Sequence, residues 1–123
     1  MNPLCKPRLG LAAVAALLIG ACASTPPPNG QVAATVAAVA HAAGAGGNEF
    51  APQEMQTARD KLQRANVAMT VKDYPAALAL SREAQVDAQL AEAKAESGKA
   101  RRAAESMREG NRVLREEIGR KAP

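Results

Sequence analysis

Lys72 to Ala95 reads KDYPAALALSREAQVDAQLAEAKA, and the fold turns on this stretch. Asp73 is a good N-cap, and Pro75 suits a first helical turn, where its missing N–H removes no bond. Ala77, Leu80, Ala84, Ala88, Ala91 and Ala95 then recur at steps of three and four and share one helical side. A stripe of alanine lets a second helix approach closely while burying little apolar area per residue. The spacing predicts a helix packed tightly on a neighbour.

The neighbour lies just upstream. Pro52 fits a first turn, and Met55, Ala58, Leu62, Ala65 and Met69 alternate three- and four-residue steps up to about Val71. Glu54, Arg59, Asp60, Lys61 and Arg64 fall largely off that stripe. The break around Val71–Pro75 is so short that the two helices are expected side by side and antiparallel. Further upstream, Gln31–Ala43 carries Val32, Val36, Val39 and Ala43 at helical spacing and reads as a short first helix. GAGGN, Gly44–Asn48, ends it. No strand precedes these glycines and no Gly-Lys-Ser/Thr follows, so they read as a linker rather than a phosphate loop. The expected fold class is all-α: a short N-terminal helix plus an antiparallel helical hairpin with a long, partly coiled-coil-like C-terminal helix. One Phe and one Tyr make the core thin, and modest stability is expected.

The first two dozen residues follow another logic. Lys6 and Arg8 precede an apolar run, Leu9–Ile19, and small residues follow, as in a secretory signal. The run is too short for a span, which needs about 20 apolar residues. Ile19-Gly20-Ala21-Cys22 resembles the bacterial lipobox, in which the signal is cleaved before the cysteine. The resemblance implies a covalent lipid on Cys22, a diacylglycerol on its sulfur and an acyl chain on its new amino group, and a membrane contact through that anchor. Several chains give stable anchoring where a single one is marginal. Ala23 stands where the pattern of inner-membrane lipoproteins has an aspartate, which implies the periplasmic side of the outer membrane of a Gram-negative bacterium. Cys5 leaves with the signal, so Cys22 has no disulfide partner. STPPPNGQ, Ser24–Gln31, favours a polyproline II path of roughly 25 Å, a tether that holds the body off the lipid. The expected organisation is a signal over 1–21, lipidated cysteine and tether over 22–30, a hairpin domain over 31–98 and a basic helical tail over 99–123.

FAPQEMQTARDKLQRANVAM followed by KDYPAALALSREAQVDAQLAEAKA resembles the bacterial envelope family known as domain of unknown function 4398. The likeness spans about Gln31–Ala100 and rests on Phe50-Ala51-Pro52, the Ala58/Leu62/Ala65 stripe, Asp73-Tyr74 and the alanine ladder. It implies a lipoprotein or membrane-tethered helical hairpin, sometimes preceding a peptidoglycan-binding domain; no such second domain is expected in this chain. The family supplies no catalytic residues to carry over. Asp73-Tyr74 with Ala77 is also similar to the start of a tetratricopeptide helix, but no second copy at that period supports a solenoid.

The composition shifts from Lys99. Ala100, Ala104, Met107, Asn111, Leu114 and Ile118 step as a heptad seam, with Asn111, Leu114 and Ile118 at a, d and a. The seam lies roughly 150° around the helix from Ala84, Ala88 and Ala91, so the hairpin partner cannot bury it. Something else covers it, or it stays wet. One reading is a parallel coiled-coil dimer with Asn111 setting register; the other is a solvated helical tail. Gly98 and Gly110 each cost about 1 kcal/mol inside a helix and favour fraying or a break. A helix continuous from Pro75 to Ile118 would reach roughly 66 Å.

The chain holds 16 bases and 12 acids. Lys6 and Arg8 leave with the signal, so the mature net charge is +2, made of a +4 segment over Lys99–Lys121 and a −2 remainder. Arg101, Arg102, Arg108, Arg112 and Arg115 are the candidate contacts to an anionic surface, and Met107, Asn111, Leu114 and Ile118 the candidate partner-binding residues. Arg101 with Glu105 and Arg112 with Glu116 have the i,i+4 spacing of helical ion pairs, the mark of a solvated face. Nucleic acid is disfavoured by the address and by the lack of aromatic stacking residues. Peptidoglycan is a further expected contact, though not through a covalent link, since Lys121 is followed by Ala122-Pro123, unlike the terminal lysine through which a small helical lipoprotein is joined to the wall. His41 is the one histidine, and no carboxylate pair or nucleophile set accompanies it. No enzyme, metal or further cofactor is expected. Two functions are expected instead: an interaction module that docks an envelope partner, or a self-associating spacer between membrane and wall.

Overall fold

A computed structural model describes residues 25–122 as four helices: α1 (Asn29–Gly44), α2 (Gly47–Phe50), α3 (Pro52–Thr70) and α4 (Tyr74–Lys121). The signal, Cys22 and Ala23 lie outside the described residues. The fold is all-α, a bundle in which α1 and α3 both pack along α4.

The direction of each helix follows from its cross-contacts. Lys61 meets Asp87 at 2.8 Å, Glu54 meets Lys94, and Arg102 Nη1 meets Glu49 Oε1 at 2.6 Å, so α3 and the short α2 descend as α4 rises. Along α1 the order is the reverse: Thr35 reaches Ser81, His41 reaches Glu92, and Gly46 adjoins Lys99, so α1 rises with α4. The start of α1 therefore sits near the α3–α4 turn, and the last part of α4, beyond Arg102, leaves the bundle at the opposite end. With 48 residues at 1.5 Å each, α4 is about 72 Å long.

Local chemistry explains the helix ends. The Asp73 carboxylate accepts from the Ala76 N–H at 3.1 Å, and Pro75 occupies the first turn of α4. At the end of α3, Lys72 adopts φ 62, and the Asp73 N–H donates back to the Ala68 carbonyl at 2.9 Å. This left-handed closure satisfies carbonyls that the helix leaves free. Gly46, at φ 95, reverses the chain after α1.

The alanine ladder forms the core. Ala77, Ala84, Ala88, Ala91 and Ala95 of α4 are fully buried, facing Ala58 and Ala65 of α3 and Ala42 of α1, with Met55 the largest buried side chain. Several details depart from the sequence reading. α1 begins at Asn29, so Asn29–Gln31 of the expected tether Ser24–Gln31 are helical, and Ala68 rather than Met69 is buried near the end of α3. Ser81 rather than Leu80 completes the ladder, because the strict four–three rhythm continues through 81 and the close approach leaves room for a small side chain only. In α1 the buried side is Thr35, Val39 and Ala42, while Val36 is half exposed, so the face is rotated from the Val32/Val36/Val39/Ala43 stripe. Glycines 44–48 are not simply a linker, since Gly47 begins α2. A Cβ at Gly47 would lie 2.7 Å from the Ala42 carbonyl and 2.9 Å from Met55 Sδ, and only glycine permits that approach.

α4 shows no break at Gly98 or Gly110. Gly98 faces the Phe50 ring and gains a packing partner that offsets its helix cost, whereas Gly110 lies in an uninterrupted exposed helix with open space beside it.

Candidate functional site

Beyond Arg102, α4 meets no other helix among the described residues. The final cross-helix contacts join Gly46 to Lys99 and Glu49 to Arg102, and residues 103–122 are exposed apart from the half-buried Glu117. The predicted seam lies on this free segment. Met107 is 72 % exposed, Leu114 60 % and Ile118 70 %, and Ala100, Ala104 and Asn111 are exposed beside them. Leu114, Glu117, Ile118, Lys121 and Ala122 outline a shallow surface hollow at its end. The segment extends about 30 Å past the bundle, at 1.5 Å per residue from Arg102.

The five candidate arginines separate into two groups. Arg102 turns back onto the bundle: its guanidinium pairs with Glu49 at 2.6 Å and lies 4.7 Å from the centroid of the Phe50 ring. This cation–π and ion-pair contact makes Arg102 a clasp between α4 and α2, with its charge already matched by Glu49. Arg112 is likewise engaged, bridging Glu109 and Glu116 at 2.5 Å each, and Arg120 meets Glu117 at 2.8 Å. The hydrogen bond from Arg112 holds the Glu109 carboxyl below its ordinary value, and Glu109, then Glu116, raises Arg112. Arg101, Arg108 and Arg115 meet no carboxylate among the described residues, and the Arg101–Glu105 pair suggested by spacing does not form.

Sequence reasoning missed the Glu49–Phe50–Arg102 clasp. Its members are some fifty residues apart along the chain, and no local pattern signals such a pairing. The separation of paired from unpaired arginines was more accessible, because 101, 108 and 115 repeat at the heptad interval.

The remaining polar groups form surface and inter-helix pairs. His41 Nδ1 lies 3.0 Å from Glu92 on the surface. Among the described residues no group of three or more His, Cys, Asp or Glu is placed to hold a metal ion, and no helix is long and apolar enough to cross a membrane. Lys61 bridges Asp87 and Glu83, whose hydrogen bonds raise its pKa despite some desolvation, and tie α3 to α4.

Fold and surface together define an all-α bundle protein with one helix extended beyond its partners. The chain belongs to the family described as Domain of unknown function (DUF4398), which matches residues 30–107. No curated protein and no solved structure matches it. The family match runs from the first turn of α1 through α2 and α3 and along α4 as far as Met107, so the seam from Asn111 to Ile118 falls outside the matched region.

Proposed function

We propose that this protein is a lipoprotein anchored through Cys22 to the periplasmic side of the outer membrane, where it acts as a non-catalytic helical interaction module of the cell envelope. The observation that carries the interaction role is the uncovered seam Met107, Leu114 and Ile118 on a helix projecting from the bundle. Large apolar side chains held out on a rigid support suit helix-in-groove recognition. Its direction supports the reading. α1 enters at one end of the bundle and the α4 extension leaves at the other, so a lipid before α1 would place the seam away from the anchoring membrane. In this reading the α3–α4 pair is the antiparallel hairpin, and the α4 extension is its partly coiled-coil-like end. The basic side is reduced to Arg101, Arg108 and Arg115.

A photoreactive side chain in place of Arg108, in the cell-borne protein, tests the module. A heterologous adduct of defined mass is expected, and it should weaken when Leu114 and Ile118 are both replaced by Ala. A product of twice the protomer mass would support the self-associating spacer instead, and no adduct would count against both.

A further inference from the structure

The free segment of α4 carries a charge pattern that selects its occupant. With Asn111 and Ile118 at a and Leu114 at d, Met107 is also d, and Arg101, Arg108 and Arg115 all fall at e. They are the three arginines over 99–121 that meet no carboxylate among the described residues, while Arg102, Arg112 and Arg120, on other sides of the helix, are paired within the chain. Positions e and g line a coiled-coil interface and set partner choice.

A second copy fits this surface poorly. In a parallel pair the e arginines face the g residues Glu96, Ala103 and Gly110, so only Arg101 meets an acid; in an antiparallel pair e faces e, and arginine meets arginine. A lipid surface also fits poorly. Interfacial helices present a broad, bulky apolar side, whereas this seam is narrow, with Asn111 at its centre and two alanines at its start. Building on the interaction-module reading, we propose that the seam receives a helix of another protein. That helix has apolar a and d residues, a polar residue opposite Asn111, and Asp or Glu facing Arg101, Arg108 and Arg115. The apolar contacts supply burial, and the charge match supplies partner choice.

The test uses the full-length protein in nonionic detergent and two synthetic helices about three heptads long with identical apolar seams and one a-position Asn, one carrying Glu at e and g and the other Lys. The Glu peptide is expected to bind about tenfold more tightly or better, less so at high salt. Replacing Arg101, Arg108 and Arg115 together by Glu should invert the preference while leaving the circular dichroism of the bundle unchanged. Equal affinities, no binding of either peptide, self-association that outcompetes the Glu peptide, or stronger capture by phosphatidylglycerol vesicles would each overturn the proposal. Such a failure is separable from failure of the module itself. A heterologous adduct at position 108 that survives replacement of both Arg101 and Arg115 by Glu keeps the module and removes the acidic partner.

Discussion

A Cβ placed on Gly98 would lie 2.3 Å from Cδ1 of Phe50. The one phenylalanine of the chain rests directly on the backbone of α4 at that point, with the Arg102 guanidinium over its ring and Gly46 beside it. A glycine that weakens the isolated helix is what joins the α1–α2 turn to α4.

Gly98→Ala should therefore destabilise the protein by about 1–3 kcal/mol through overpacking, although alanine is the better helix former by about 1 kcal/mol. Gly110→Ala meets nothing within 4 Å and should raise the helicity of the extension by up to about 1 kcal/mol without changing bundle unfolding. Thermal unfolding followed by circular dichroism distinguishes them. Equal effects of the two substitutions would remove the role given to Phe50.

Ser81 is a second place where the substitution runs against expectation. Its hydroxyl is buried without a hydrogen-bond partner, while its carbonyl lies 3.0 Å from the Thr35 hydroxyl, which also lies 2.9 Å from the Gln31 carbonyl. Ser81→Ala keeps the carbonyl, removes the stranded hydroxyl and improves helix propensity, so a gain of about 0.5–1 kcal/mol is expected in urea unfolding. A loss would mean that the hydroxyl has a partner in solution.

Two ion pairs between α3 and α4 set the pH limits. Hydrogen bonding from Lys94 holds the Glu54 carboxyl below its ordinary 4.5, so the stability it contributes is present above that value and is lost as pH falls through the lowered folded pKa. Asp87, with Glu83, raises Lys61 above 10.5, so its contribution is present below that value and is lost as pH rises through the raised folded pKa. Tm plotted against pH should show an acid and an alkaline limb, the acid limb shallower in Lys94→Ala. An unchanged acid limb in that variant would show that Glu54 contributes nothing to it.

The anchor is tested by metabolic labelling with a clickable palmitate. Wild-type protein should carry the label and fractionate with outer membranes, and Cys22→Ala should lose both. Labelling that persists in the variant would move the lipid to another residue or exclude the lipobox reading.

The all-α class, the positions of the major helices and most of the alanine ladder were legible in the sequence, because caps, prolines and the alternation of three and four are local and each is written within a few turns of chain. The sequence also carried the four- and three-residue steps of Met107, Asn111, Leu114 and Ile118. Three-dimensional packing was needed to establish that Ser81 completes the ladder, that α1 runs with α4 while α3 runs against it, and that Gly98 seats Phe50. It also divided the arginines, taking Arg102 into a clasp with Glu49 and leaving Arg101, Arg108 and Arg115 unpaired. Each of these depends on groups distant in sequence meeting at a few ångströms, and a local pattern cannot encode which distant surface will arrive.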